Sequence, residues 1–252
     1  MVKKLAIGMG VASLLVAGIA VAGTPFGGDD AGTVSSHKDT TKCEDSVGKN
    51  LAKAAACIIK CHKARADGKL TTDTDEDNCE KNLPAAADCK GKYSVAVGNS
   101  SKINAICPSC LGATTRVNLF NAVEALIDGN NDKVYCQGTN DWGGDDTGKI
   151  PDTKDQAKCG DTVGKAVGKA IACITKCHKA RSDGKLADDT AEDTCEGTVG
   201  TSTSSCKAKF TNAISKVTCA PCDANLFDFV ESQADTLNGP VYCGSPSGAF
   251  LE

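Results

Sequence analysis

Residues 57–70 read CIIKCHKARADGKL and residues 173–186 read CITKCHKARSDGKL, so one cysteine- and histidine-bearing segment is written twice in a single chain. That doubling constrains the fold more than any other feature, because the architecture must serve two copies of one unit. The offset of 116 residues holds from Cys43/Cys159 through Cys57/Cys173, Cys61/Cys177 and Cys79/Cys195. Between residues 43 and 70, 20 of 28 positions are identical to their counterparts. The offset then shifts at Cys89/Cys206, Cys107/Cys219 and Cys110/Cys222, and again at Cys136/Cys243, with the length changes in polar, glycine-containing stretches that tolerate them. Each copy carries eight cysteines.

Residues 1–22 carry Lys3 and Lys4, then an apolar run rich in glycine and alanine, then Ala20 and Ala22 in a small-x-small arrangement. This is the pattern of a secretory signal peptide, with cleavage expected after Ala22 and no membrane span in the mature chain. Loss of the two lysines takes the formal charge from -4 to -6. An acidic balance disfavours nucleic acid as a partner, since phosphate contacts need an excess of lysine and arginine.

Sixteen cysteines in an exported chain predict disulfides in an oxidising, extracellular or periplasmic compartment. Aromatic residues are only 4% of the chain, so covalent staples are expected to supplement small cores. The sequence therefore predicts an all-α fold of two homologous, disulfide-stapled helical bundles, residues 23–140 and 141–252.

A first helix is predicted from about Cys43 to Ala66, ended by Asp67 and Gly68, with an identical stop at Asp183 and Gly184. Its apolar arc contains Val47, Leu51, Ala54 and Ile58, with Cys43, Cys57 and Cys61 along the edge. Lys42, Lys49, Lys53 and Lys60, and in the second copy Lys158, Lys165, Lys169 and Lys176, share another arc that reads as a solvated face, or more sharply as a docking surface for an anionic partner. Cys57 and Cys61 lie one turn apart, where a mutual disulfide is hard to form, so they are expected to reach different partners. Residues 71–77 and 187–193 read as acidic linkers. Beyond them Pro84 is expected to break a second helix, and a final apolar helix precedes Val-Tyr-Cys in each copy.

The C-x3-C-H segments, Cys57, Cys61 and His62, and Cys173, Cys177 and His178, resemble a c-type haem attachment motif with one residue too many. Helical geometry turns the histidine off the thiol face, and the mature chain has no methionine and only His37 as a spare axial ligand. A dihaem electron-transfer protein is thus the alternative reading, with haem c as its cofactor; the favoured reading assigns no cofactor and places both histidines beside core disulfides. The C-x-x-C pairs at Cys107/Cys110 and Cys219/Cys222 lack a preceding strand and carry proline at different positions, so they read as structural. Asp73, Asp75 and Asp77 depart from the calcium-loop pattern, and zinc is disfavoured by the oxidising compartment, so no metal ligand is assigned. No catalytic constellation is found. The Gly-Gly-Asp-Asp-x-Gly segments at residues 27–32 and 143–148, preceded by Phe26 and Trp142, read as exposed turns; a free first copy would let Phe26 dock on a neighbouring chain.

The leader, the GGDD lead, K-C-x(13)-C-x3-C-H and the terminal V-Y-C together resemble uncharacterised, secreted, cysteine-rich bacterial tandem-repeat proteins. The resemblance implies secretion and duplication, and no activity. The expected function is a non-enzymatic binding or structural component outside the cytoplasm, whose partner is another protein, a cell-surface component or a further copy of itself.

Overall fold

The computed structural model describes residues 24–83, 87–216 and 221–243. Residues 1–22, read from sequence as a signal peptide, Pro84 and Cys219 lie outside the described residues. Among those described, the chain is mostly helical, with eight α-helices.

Two 29-residue helices form the centre, α1 (Lys38–Ala66) and α5 (Lys154–Ser182). A capping box of Thr153 and Gln156 starts α5. Both helices stop where Gly68 and Gly184 adopt φ +71°, a left-handed conformation that glycine accepts without a Cβ penalty. The two helices pack antiparallel: Lys63 near the end of α1 pairs with Asp161 near the start of α5, and Lys179 of α5 pairs with Asp45 of α1. Val47, Leu51, Ala54, Ile58, Cys43 and Cys61 are buried, while Lys42, Lys49, Lys53 and Lys60 are exposed.

Around α1 lie α2 (Asp73–Asp77), a π-helical turn (Asn78–Asn82), α3 (Cys89–Val97) and α4 (Ala113–Asp128). Around α5 lie α6 (Asp189–Glu196), α7 (Cys206–Ile214) and α8 (Leu226–Val241). One apolar core contains Val47, Ile58, Tyr93 and Phe120, and another contains Val163, Ile174, Phe210 and Phe227. Disulfides tie the surrounding helices to the central pair: Cys57–Cys89, Cys61–Cys79 and Cys43–Cys107 on one side, Cys173–Cys206 and Cys177–Cys195 on the other. Cys159 is disulfide-bonded too. Cys57 and Cys61 thus reach different segments. Two further bonds, Cys110–Cys243 and Cys136–Cys222, link the first half of the chain to the second.

The fold departs from the all-α expectation in two places. Residues 24–34 form a hairpin of β1 (Thr24–Gly27) and β2 (Asp30–Val34), and residues 140–150 form another, β3 (Asn140–Gly143) and β4 (Asp146–Ile150). These contain the GGDD segments read from sequence as exposed turns. The glycines make the reversal possible, since Gly28 and Gly144 sit at φ +52° and +62°. A Cβ there would also come within 2.3 Å of Asp189 and 2.0 Å of Asp73, so each tip rests on the start of a short helix.

The hairpins are not free. Phe26 and Trp142 are each only 1% exposed, Phe26 packing on Tyr242 and Trp142 on Tyr135. The docking of a free Phe26 on a neighbouring chain is therefore replaced by burial within its own chain. Each hairpin precedes one long helix and docks beside the end of the other, as the antiparallel pairing requires. Asn238 donates to the Ala31 carbonyl at 2.8 Å, and Asn131 to that of Thr147 at 3.1 Å.

Candidate metal centre

His62 lies in the last turns of α1 with its side chain 2% exposed. Four carboxylate oxygens surround its Nε2: Glu76 Oε1 at 3.1 Å, Asp146 Oδ1 at 3.2 Å, Glu80 Oε1 at 3.3 Å and Asp128 Oδ1 at 3.3 Å. These groups come from α2, the π-helical turn, the last residue of α4 and the first residue of β4. Around His178 Nε2 of α5 stand Asp30 Oδ1 at 3.1 Å, Glu196 Oε1 at 3.2 Å, Asp235 Oδ1 at 3.3 Å and Glu192 Oε1 at 3.6 Å. The two donor sets have the same composition, one imidazole and four carboxylates.

Local structure explains the convergence. Residues 71–77, read from sequence as an acidic linker, are helical from Asp73, because Thr72 and Asp75 form a capping box. The next helical segment then places Glu76 and Glu80 four residues apart and on one face. The Cys61–Cys79 disulfide joins the residue before His62 to the residue before Glu80, and Cys177–Cys195 does the same for His178 and Glu196. The Gly-Gly-Asp-Asp hairpins deliver Asp146 and Asp30. Arg65 holds the Trp142 carbonyl at 2.9 Å and Arg181 that of Phe26 at 3.2 Å, anchoring both hairpins to the long helices.

The electrostatics of these clusters are unfavourable without a cation. An imidazole Nε2 carries at most one proton, which four oxygens cannot share. His62 Nε2, Glu76 Oε1, Glu80 Oε1, Asp128 Oδ1 and Asp146 Oδ1 are all buried with no well-formed hydrogen bond. Burial pushes Glu76 up to about 8, Glu80 to about 7 and Asp146 to about 9. In the other cluster burial pushes Glu192 up to about 11 and raises Glu196 and Asp235. Burial opposes ionisation of Asp30 as well, but its contacts with His178 carry it below the usual carboxylate range. Burial alone would lower His62 and His178, yet the carboxylates beside them, Asp128 and Asp235 foremost, hold both well above the ordinary histidine value.

A metal ion would relieve the conflict. Taken three at a time the donors lie close enough together to hold one ion, as in His62/Glu80/Asp128, His62/Glu76/Asp146 and His178/Glu192/Glu196. The four oxygens near His62 stand 3.1–3.3 Å from the nitrogen. Oxygen-rich coordination with one imidazole suits manganese or iron best.

His62 and His178, read from sequence beside disulfides or as haem ligands, thus face carboxylates, and these clusters, to which the sequence reading assigns no metal, have a composition able to hold one. Cys57, Cys61, Cys173 and Cys177, the thiols of the haem alternative, are in disulfides. Cys107 and Cys110 bond to Cys43 and Cys243 rather than to each other. A sequence signal for these carboxylates does exist: Glu76/Glu192, Glu80/Glu196, Asp128/Asp235 and Asp30/Asp146 recur at the offsets of the surrounding cysteines.

No family model matches this chain, and neither the curated proteins nor the solved structures yielded a match. Among the described residues no helix is long and apolar enough to cross a membrane.

Proposed function

We propose that this protein is an exported, disulfide-stapled metal-binding protein that holds one manganese- or iron-sized ion at His62 and one at His178. It acts as a binding component rather than a catalyst. The observation that carries this reading is the gathering of four buried carboxylates around one histidine Nε2, twice, with Glu76, Glu80, Asp128 and Asp146 in one cluster and Asp30, Glu192 and Glu196 in the other each presenting a buried oxygen that has no hydrogen-bond partner. A buried carboxylate cluster is costly unless a cation neutralises it.

The leader in residues 1–22 and seven disulfides with described geometry support an extracellular or periplasmic setting. Tandem copies at residues 23–140 and 141–252, as in the secreted cysteine-rich repeat proteins that the sequence resembles, account for two centres per chain. The burial of every ligand favours retention of the ion over exchange with a substrate.

The test is elemental analysis of mature protein purified without chelator and then exposed to Mn²⁺ or Fe²⁺. About two tightly held ions per chain are expected, falling to one in His62→Ala or His178→Ala and to none in the double variant. Wild-type protein that retains no ion after desalting would overturn the proposal.

A further inference from the structure

Beside the His62 centre, the Lys81 ammonium sits between three carboxylates: Glu124 at 2.5 Å, Asp145 at 2.8 Å and Asp77 at 2.9 Å. Glu124 stands one helical turn before the ligand Asp128, and Asp145 directly precedes the ligand Asp146. The lysine therefore supplies a fixed positive charge at the outer edge of the centre.

The corresponding acids are all present in the other half: Asp193 for Asp77, Glu231 for Glu124 and Asp29 for Asp145. The lysine is not. Its counterpart is Gly197, which ends α6 in a left-handed conformation at φ +100°. The ligand oxygens of Asp29, Glu231 and Asp235 lie within 4.8 Å of one another. Asp235 itself is 3% exposed. Its Oδ1 faces His178, while its Oδ2 is buried and has no hydrogen-bond partner. One carboxylate thus presents one oxygen to the first ion and leaves the other for a different cation.

We infer that the His178 centre is dinuclear: a second divalent cation is held by Asp29, Glu231 and Asp235 Oδ2, in the place that the Lys81 ammonium takes beside His62. Asp235 bridges the two ions. Because Asp29 is exposed, the second ion retains water ligands and exchanges more readily than the first. Hard, carboxylate-only coordination suits Mn²⁺, Ca²⁺ or Mg²⁺.

This inference rests on the proposed metal-binding function, and the same titration separates the two. Mn²⁺ is added to the mature, disulfide-intact protein under equilibrium dialysis, with electron paramagnetic resonance of the loaded samples. Three ions per chain are expected, one weaker than the others, with a spin-coupled signal from the bridged pair. Asp29→Asn, on the surface, and Glu231→Gln are each expected to reduce the count to two and abolish the coupled signal. Lys81→Met is expected to raise it to four by opening the equivalent position beside His62. A wild-type count of two, unchanged by all three substitutions, would overturn the second ion and leave the first reading standing. A count of three that neither Asp29→Asn nor Glu231→Gln changes would overturn it as well. A count of zero would overturn the metal-binding function itself.

Discussion

At the scale of single residues, the two centres are governed by where protons reside in the absence of metal. Glu76 near 8, Asp146 near 9 and Glu192 near 11 all lie above the values these acids have in an unfolded chain. Above about pH 5 the folded, metal-free chain therefore binds more protons than the unfolded one, and its stability falls as pH rises. His62 and His178, also raised, act in the same direction. The carboxylates lowered by lysine contacts, Asp67 and Asp183, act oppositely but finish titrating in acid. Chelator-treated protein is expected to have a lower Tm at about pH 8.5 than at about pH 5.5, with metal restoring most at the higher pH. A Tm that climbs with pH after chelation would count against this account. Trp142 offers a second test, since it is buried between Tyr135 and the His62 ring. Trp142→Ala is expected to cost about 3–5 kcal/mol in denaturant unfolding, and to weaken metal retention at His62 more than at His178.

Among the elements, the long helices were the most legible in sequence. Their apolar arcs, exposed lysines and glycine stops at Gly68 and Gly184 follow from helical periodicity and capping, which are local properties. The hairpins were not legible, because Gly-Gly-Asp-Asp marks a reversal without saying what the flanking aromatic packs against. The acidic segment at residues 71–77 reads as a linker from its high charge, while the Thr72/Asp75 capping box and the Cys61–Cys79 bond make its end helical. Convergence of Glu76, Glu80, Asp128 and Asp146 is a tertiary fact that no local pattern contains. Two predictions belong at this scale. Gly144→Ala combines a left-handed backbone with a Cβ placed against Asp73. It is expected to displace the hairpin that carries Asp146, reducing bound metal by about one ion per chain with little loss of helicity by circular dichroism. Replacing both Cys61 and Cys79 with serine is expected to cost about 2–4 kcal/mol, and to lower metal affinity at His62 while sparing His178. Equal loss at both centres would show that the bond does not act locally.

On the scale of the whole molecule, the halves are joined by more than residues 137–139. Cys110–Cys243 and Cys136–Cys222 cross between them, as do the Lys63/Asp161 and Lys179/Asp45 pairs. Tyr135 donates to Asp161 at 2.9 Å and Tyr242 to Asp45 at 3.3 Å, so the end of each half is seated on the long helix of the other. A protease site inserted at residues 137–139 should therefore yield, after cleavage, a single band on non-reducing gels and two fragments only after reduction. Separation without reductant would refute the crossed bonds.

The placement of the hairpins also makes each half depend on the other. The His62 centre is built from residues 62–146, whereas the His178 centre takes Asp30 from the opposite end of the chain. In each case the hairpin that precedes one long helix completes the centre on the other. A single unit, residues 23–139, would have its own hairpin directed away from its own histidine and would satisfy it only by trading hairpins with a second copy. Such a fragment is expected to form a two-fold symmetric dimer, with Asp30 of each subunit beside His62 of its partner.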